Sequence, residues 1–393
     1  MKDFKVPLQY GKTCEIDNKL YFFNMLFNGL FSINLENYSV QCVFQIPFLD
    51  DLSFAPYVHL CSYNKKILLF PNSGESILIY DTENNIYQQL FITIKDVPYN
   101  YTTAGVVQLG DKVWVFPHNL NQGILILDLL SFQLQRDFEF EKIFKDYEEI
   151  LWLGKLYRDK TTFLLKNNTI IEVDITKKII LLKKDFDKKI NIYTTRCDGI
   201  DYWILQKDST NVYKWSKLED KLEEYQLSKA EWITNEGIPY SNIIFVRDMV
   251  ILLNNRLKYM MQIDKKHNLI KEMKIYPENF RFLLIPFLER WEAFSAFDLI
   301  DNKIIIHPVI GNMLLIYDIE KNCMEGKELC VTTKQFPFLK KLVYQVFSGK
   351  DNIYFEKDSF GALNKYIFIS DDNEKININN YLGVKIYNSL KSI

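Results

Sequence analysis

The chain has 393 residues, of which 48% are hydrophobic and 15% aromatic, so it can bury a large core and is not a disordered polypeptide. Its 48 lysines and arginines nearly balance its 50 aspartates and glutamates, which excludes a global field that would steer nucleic acid or an anionic membrane towards it. The N-terminus lacks the uninterrupted apolar segment of a secretory signal, and the longest uncharged stretch, 20–35, is too short and too polar to span a membrane.

Units of one kind follow one another along the chain. Each consists of an apolar run, a short polar loop and a second apolar run that closes on Asp or Asn, which is the pattern of an antiparallel hairpin. The clearest is Asp111–Asp128, with the loop Pro-His-Asn-Leu-Asn-Gln-Gly between its apolar runs. Eight such units begin at Leu20, Ile67, Val113, Thr162, Tyr202, Met249, Ile304 and Ile353.

The units recur with a nearly constant period. Their closing residues Asn34, Asp81, Asp128 and Asp174 lie 47, 47 and 46 residues apart, which is the period of a propeller blade. Polar, alternating runs after the closing residue, such as 87–94 and 132–138, predict outermost strands. Runs before each hairpin, such as 57–63, predict innermost strands that face the channel. The hairpin strands are apolar on both faces because neighbouring blades sandwich them.

The sequence therefore predicts an all-β fold, a single β-propeller of four-stranded antiparallel blades over residues 1–393. Eight blades are the first expectation, and seven are the alternative if the last unit pairs elsewhere. The approximate blades are 12–47, 55–94, 102–140, 150–187, 191–227, 240–276, 294–332 and 342–380.

In period and pattern, over its whole length, the chain resembles kelch-type and related bacterial β-propeller repeat proteins. It has no Gly-Gly pair, which marks a kelch blade, and it lacks the Gly-His and Trp-Asp signature of the other common propeller repeat. The resemblance implies the fold, and no functional residue is carried over from it.

The connections between blades are rich in aromatic residues and predict a ligand-binding face. Flat rings with a polar edge suit sugars or extended peptides, and arginines nearby can hold a carboxylate through two hydrogen bonds. The alternative is that these rings simply pack between adjacent blades. The candidate ligand-binding residues are Tyr57, Asn72, Tyr101, His118, Trp152, Tyr193, Arg196, Tyr240, Trp291 and His307.

His118 and His307 both lie near the end of a second blade strand. In a ring of eight blades they would be four blades apart, too far to share one metal ion whose histidine ligands must lie at about 2.0–2.1 Å. We therefore expect no metal and no cofactor.

The six cysteines form no Cys-x-x-Cys pair, so we expect free thiols and a cytoplasmic location.

None of the common catalytic motifs is present. The favoured function is a non-catalytic, monomeric binding propeller that presents loops on one face to a peptide, carbohydrate or protein partner, without nucleic acid or membrane. The alternative is a propeller enzyme, a hydrolase or lyase acting on carbohydrate or peptide, because propeller active sites assemble from single residues on several blades.

Overall fold

Seven four-stranded antiparallel blades surround a central channel, so the chain is an all-β propeller. The computed structural model describes residues 4–5, 8–9, 12–24, 29–46, 57–98, 100–207, 209–227, 238–255, 259–278, 280, 294–300, 302–308, 310–311, 313–328 and 330–331. In each blade the strands follow one another from the channel to the rim, as expected from the repeated hairpins. Within the described residues, no helix is long and apolar enough to cross a membrane.

Two short strands, β1 (Phe4–Lys5) and β2 (Leu8–Gln9), precede the first blade. Blade 1 contains β3 (Thr13–Ile16), β4 (Lys19–Asn24), β5 (Gly29–Asn34) and β6 (Ser39–Gln45). Blade 2 contains β7 (Tyr57–Tyr63), β8 (Lys66–Pro71), β9 (Ser76–Asp81) and β10 (Ile86–Phe91). Blade 3 contains β11 (Thr103–Leu109), β12 (Lys112–Pro117), β13 (Leu125–Asp128) and β14 (Leu134–Arg136). A 3-10 turn (Leu120–Gln122) lies inside blade 3, and the helix α1 (Phe138–Ile143) follows it.

Blades 4 and 5 contain β15 (Ile150–Leu153), β16 (Lys160–Leu165), β17 (Thr169–Asp174) and β18 (Ile179–Asp185); and β19 (Ile192–Cys197), β20 (Asp201–Gln206), β21 (Val212–Ser216) and β22 (Lys221–Tyr225). Blade 6 contains β23 (Tyr240–Val246), β24 (Met249–Asn254), β25 (Met260–Asp264) and β26 (Leu269–Met273). Blade 7 contains β27 (Phe294–Ile300), β28 (Lys303–Pro308), β30 (Met313–Asp318) and β31 (Cys323–Glu328), with β29 (Ile310–Gly311) before β30 and β32 (Cys330–Val331) at the end.

The middle strands of each blade form the core, because neighbouring blades cover both of their faces. In blade 2 every side chain from Ile67 to Phe70 and from Ile77 to Tyr80 is buried. The outermost strands are open to solvent: β10 is largely exposed, and β18 alternates between exposed and half-buried residues. The buried middle strands and the solvent-exposed outermost strands predicted from the sequence are thereby confirmed.

The turn between the third and fourth strands is built around the closing residue of each hairpin. Asp81 Oδ1 accepts hydrogen bonds from the backbone N–H groups of Glu83 and Asn84, both at 3.0 Å. Such local bonds are typical of Asp and Asn in turns. The same arrangement occurs at Asn34, Asp128, Asp264 and Asp318, and Asp174 accepts from Lys177 N. We call Asp81, Asp128, Asp174, Asp264 and Asp318 the closing aspartates.

Each of these turns ends with a residue in the left-handed region. Its φ is between 50° and 57° at Tyr38, Asn85, Phe132, Lys178, Asp220, Asn268 and Asn322. An aromatic residue of the third strand holds this residue in three blades: Tyr80 and Tyr317 donate to the Oδ1 atoms of Asn85 and Asn322, and Trp215 donates to Asp220 Oδ1. The repeated Tyr-Asp at the hairpin ends is thus explained by the turn that it stabilises.

After β14 the chain departs from the predicted outermost strand 132–138. The strand spans only three residues, because Asp137 caps α1 by accepting a hydrogen bond from Phe140 N at 3.0 Å. The helix inserts Phe140 between blades 3 and 4, where its ring centroid lies 5.3 Å from that of Phe116. Aromatic packing across this interface therefore replaces the strand pairing.

The ring closes between blade 7 and blade 1. Thr13 Oγ1 in β3 donates a hydrogen bond of 2.5 Å to Asp298 Oδ2 in β27. Strand β2 pairs with β29 of blade 7, and β32 adds in parallel to β6 of blade 1. Seven blades, the alternative weighed from the sequence, thus complete the ring, and the proposed unit at 342–380 lies outside the described residues. Cys14, Cys42, Cys61, Cys197 and Cys323 are free thiols.

Candidate ligand-binding site

A β-bulge recurs near the start of the innermost strand in six of the described blades. The pairing with the second strand shifts after Tyr57, Thr103, Ile150, Ile192, Tyr240 and Phe294. A bulge bends a strand and re-aims the side chains that follow it. In blades 2 to 6 the residue that resumes the pairing lines the channel: His59, Gly105, Trp152, Thr194 and Asn242.

The channel contains a cavity of about 390 Å³, which is near the lower end of the usual range for small-ligand sites, about 300–1,000 Å³. Its wall receives residues from all seven blades, so no single repeat could form it. The lining residues are Lys12, Thr13, His59, Leu60, Gly105, Val106, Trp152, Leu153, Gly154, Lys155, Thr194, Arg196, Ser241, Asn242, Ile243, Phe297 and Asp298.

Arg196 is the most firmly placed cation of the cavity. One nitrogen of its guanidinium, Nη1, donates to the carbonyl oxygen of Ile243 at 2.7 Å, and its Cζ lies 4.7 Å from the ring centroid of Phe297. The side chain is half-buried because its free surface faces the channel, yet desolvation by the surrounding protein lowers its pKa to about 10. These two contacts fix the orientation of the guanidinium group. Its other N–H groups donate to no carboxylate among the described residues.

Lys155 lies close to Arg196 on the same side of the channel. Gly154 N donates to Thr162 O, so Gly154 lies opposite the third residue of the second strand of its blade. Arg196 and Asp298 occupy the same position in their own blades. Lys155 follows one residue later, with Nζ 5.3 Å from the Phe297 ring centroid. Its surface is open to the channel, but desolvation and the charge of Arg196 lower its pKa. Lys155 and Arg196 therefore form a pair of cations that we call the cation pair.

Asp298 is the single carboxylate among the described lining residues, and it is already engaged. Its Oδ2 accepts hydrogen bonds from Thr13 Oγ1 at 2.5 Å and from His307 Nε2 at 2.8 Å. Burial would raise its pKa, but these bonds and the nearby positive charge of Lys155 outweigh burial and hold the pKa below its ordinary value. Asp298 is therefore ionised, and it makes no ion pair with either member of the cation pair.

His59 lies on the wall of blade 2. Lys12 Nζ donates to its Nδ1 at 3.0 Å, so the proton of the neutral ring is on Nε2, which donates to Thr103 O at 3.2 Å. Burial, followed by the charge of Lys12, lowers the pKa of His59 well below its ordinary value. Among the described lining residues there are thus three cations, Lys12, Lys155 and Arg196, and one anion, Asp298.

Trp152 and Arg196, among the residues singled out from the sequence, line this cavity. Trp152 lies in the innermost strand β15 and not in a loop. His307 is fully buried behind the wall, where its Nε2 donates to the lining residue Asp298. Three of the ten candidates are thus brought together, although the sequence placed them on a loop face.

Three other candidates belong to the interior of the blades. Tyr101 is fully buried and its hydroxyl donates to the carbonyl oxygens of Val115 and Gly123, both at 2.9 Å. Tyr57 and Tyr240 are buried in the first positions of β7 and β23. The packing alternative, weighed from the sequence for these rings, describes all three.

Three more candidates, all within the described residues, stand apart from the cavity wall. His118 is exposed after β12, where its Nδ1 donates to the carbonyl oxygen of Ile150 at 3.0 Å. Asn72 follows β8 and accepts a backbone hydrogen bond from Thr103. Tyr193 is the extra residue of the bulge in β19. Trp291 lies outside the described residues.

Sequence reasoning missed Lys12, Lys155, Phe297 and Asp298. A lone lysine in a turn has the pattern of a solvated residue, and Asp298 lies in an otherwise ordinary apolar run. A usable signal exists only once the innermost strands are aligned, because Arg196 and Asp298 then occupy the same position of their repeats. Within the described residues, no group of three or more His, Cys, Asp and Glu side chains could hold a metal ion.

No family model and no curated protein matches the sequence. Among solved structures, the extracellular domain of a protein described as a hybrid two component system from B. thetaiotaomicron is 12% identical, with a TM-score of 0.50 over 78% of this chain and 40% of that one. An extracellular domain described as part of a one component system of the same organism is 11% identical, with a TM-score of 0.44 over 83% of this chain and 49% of that one.

The chain spans less than half the length of each of these structures. At 12% identity the likeness to the hybrid two component system domain shows the fold alone, a β-propeller. The resemblance to kelch-type repeats stays a prediction from period and pattern.

Proposed function

We propose that the protein is a non-catalytic, ligand-binding β-propeller that takes up a small molecule in its central channel. The observation that carries this proposal is the cation pair, two charged groups on the wall of a closed ring that no described carboxylate neutralises. Two like charges held close together without a carboxylate between them are unfavourable for the empty protein. A bound ligand with acceptor atoms would remove this penalty.

The distribution of contacts around the channel supports a binding role. Every blade contributes to the wall, so a ligand in the cavity would be contacted from all sides by rigid strands rather than by single loops. Polar groups from Thr13, Thr194, Ser241 and Asn242 stand beside the half-buried apolar residues Val106 and Trp152. Convergent polar groups of this kind fix the orientation of a bound small molecule.

The enzyme alternative finds less support in the described residues. General acid–base catalysis needs an ionisable group that can reach the substrate. Asp298 Oδ2 is held by two hydrogen bonds, His307 is fully buried, and both ring nitrogens of His59 are engaged. These groups are arranged to position one another, which suits a preformed binding site better than proton transfer.

The channel proposal can be tested with Trp152 as a reporter. We would titrate the protein with benzoate, benzamide, glucose and inorganic phosphate, and follow tryptophan fluorescence together with the melting temperature. We expect at least one probe to change both signals, and the fluorescence change to disappear in Trp152→Phe. His118→Ala, on the loop face, should leave the titration unchanged.

Two outcomes would overturn the channel proposal. One is that none of the four probes changes the Trp152 signal or the melting temperature. The other is that a probe binds, but His118→Ala weakens it while Trp152→Phe leaves the response intact. The second result would favour the loop face, with a peptide or carbohydrate partner, as the sequence suggested. The cytoplasmic location and the monomeric state stay predictions.

A further inference from the structure

The unused hydrogen-bonding edge of Arg196 restricts the chemistry of the ligand. Nη1 is held by Ile243 O, and the face of the guanidinium lies against Phe297. Five N–H donors in a rigid fork are available to an arginine, and two parallel ones match the oxygens of a carboxylate or phosphate. The Arg196 guanidinium is held at Nη1 and by stacking on Phe297. The N–H groups on its opposite edge can therefore still donate to such an anion.

Lys155 adds a second charge to the same place. Both cations contact the ring of Phe297, which keeps them on one side of the channel. Two positive charges at one place repel each other, and the charge of Arg196 adds to desolvation in lowering the pKa of Lys155. An anion between them would relieve this repulsion as well as accept hydrogen bonds from both.

Asp298 limits how much negative charge the site can accept. It is ionised and close enough to influence Lys155, although it forms no ion pair with it. A ligand with two or more negative charges would meet this carboxylate in the same cavity of about 390 Å³. A single negative charge is therefore favoured over a phosphate dianion.

Part of the wall can receive an apolar body. Val106 and Trp152 line the cavity and are half-buried, whereas Leu60, Leu153 and Ile243 are already covered by the blade cores. A fully polar anion would leave the surfaces of Val106 and Trp152 against water, whereas an apolar group would bury them favourably. The charged and the apolar parts of the wall thus belong to one amphipathic ligand.

From this geometry we infer that the channel binds an organic monocarboxylate with an apolar body, its carboxylate held by Arg196 and Lys155 and its body against Trp152 and Val106. This inference rests on the proposed function, of which it names the ligand class. Nothing covalent takes place, since the site provides a fixed cation pair and a shaped wall.

The test compares benzoate with its neutral isostere benzamide and with inorganic phosphate, by calorimetric titration of the full chain at low salt. We expect benzoate to bind at least tenfold more tightly than either. Arg196→Gln should weaken benzoate at least tenfold, Lys155→Gln should weaken it severalfold, and Arg196→Lys should fall between Arg196→Gln and the wild type, because the charge remains but the fork is lost. Lys271→Gln, on the exposed outermost strand of blade 6, is the matched control and should change nothing.

A second measurement separates ligand contact from a purely structural role. Lysine methylation with a ¹³C label allows the pKa of Lys155 to be followed by NMR, with Lys155→Gln identifying its signal. We expect benzoate to raise this pKa, because the bound anion favours the charged amine, and benzamide to leave it unchanged. Arg196→Gln should also raise it by removing a neighbouring positive charge. These readouts keep the test decisive if Arg196→Gln folds poorly.

The outcomes distinguish the ligand class from the channel itself. If benzamide binds as tightly as benzoate and perturbs Trp152, the charge inference is overturned while channel binding stands. If phosphate binds more tightly than benzoate, the monocarboxylate class is overturned in favour of phosphate. If neither benzoate nor any other probe perturbs Trp152, both the inference and the proposed function fail.

Discussion

Asp137 joins blades 3 and 4, and its replacement should measurably weaken the ring. Its Oδ1 accepts from Phe140 N at 3.0 Å and from Lys178 Nζ at 2.9 Å, and its Oδ2 accepts from Trp114 Nε1 at 3.1 Å. The side chain is only 4% exposed. Three donors from α1, from β12 and from the turn of the next blade thus converge on one buried carboxylate.

The magnitude follows from these contacts. Removing a helix cap costs about 1 kcal/mol, and removing one partner of a buried ion pair costs about 3–5 kcal/mol. The second figure is an upper bound, because Lys178 is partly exposed and keeps an ion pair with Glu139 at 3.1 Å. We therefore expect Asp137→Ala to lower the free energy of unfolding by about 3 kcal/mol. Asp137→Asn keeps the cap and should lose about half as much.

The pH dependence gives a sharper check. Burial would raise the pKa of Asp137, but the hydrogen bonds from Lys178, Phe140 and Trp114 outweigh it and lower the pKa. The stabilisation by the charge is therefore fully present above the unfolded-state pKa of about 3.9 and is lost as the pH falls through the lower folded-state value. The difference between wild type and Asp137→Asn should shrink over that range.

The assay is urea unfolding followed by far-ultraviolet circular dichroism, which does not depend on Trp114 fluorescence. Asp146→Asn, an exposed carboxylate at the end of the same segment, is the control and should stay within about 0.5 kcal/mol of wild type. The reasoning is refuted if Asp137→Asn unfolds like wild type at neutral pH, or if the difference between them does not shrink on acidification.

Three further results are expected. Tyr101→Phe leaves the buried carbonyl oxygens of Val115 and Gly123 without their hydroxyl donor. The free energy of unfolding in urea should therefore fall by about 1–3 kcal/mol, while probe binding stays intact. An unchanged stability would contradict the packing role. Gly105→Ala places a Cβ 2.5 Å from Leu153 Cδ2, so overpacking should cost about 1–3 kcal/mol, and a melting temperature equal to that of wild type would show that the interface yields freely. The pKa values of the closing aspartates are lowered by hydrogen bonds from turn N–H groups, with the side chain of His267 contributing most at Asp264; the melting temperature should therefore fall as the pH drops below about 4, and a flat profile would argue against this.

The sequence by itself determined the blade. The alternation of strands, the sandwiched hairpins and the Asp or Asn that closes them are local features, because each depends on residues within one turn or on one strand face. The turn at Asp81 shows why: its hydrogen bonds reach only two and three residues ahead. The sequence also singled out Trp152 and Arg196, because aromatic residues recur in the segments before the hairpins and an arginine beside them can hold a carboxylate.

Tertiary structure alone decided the number of blades and the place of the site. Closure of the ring depends on contacts such as the hydrogen bond between Thr13 and Asp298, which are 285 positions apart in the sequence. No local pattern encodes whether the seventh or the eighth unit will contact the first. The departure at 132–138 has the same origin, because Asp137 gains Lys178 from the next blade by capping a helix there. The cavity takes Lys155, Arg196 and Asp298 from three different repeats, and only the radial arrangement of the innermost strands brings their charges to one side of a channel.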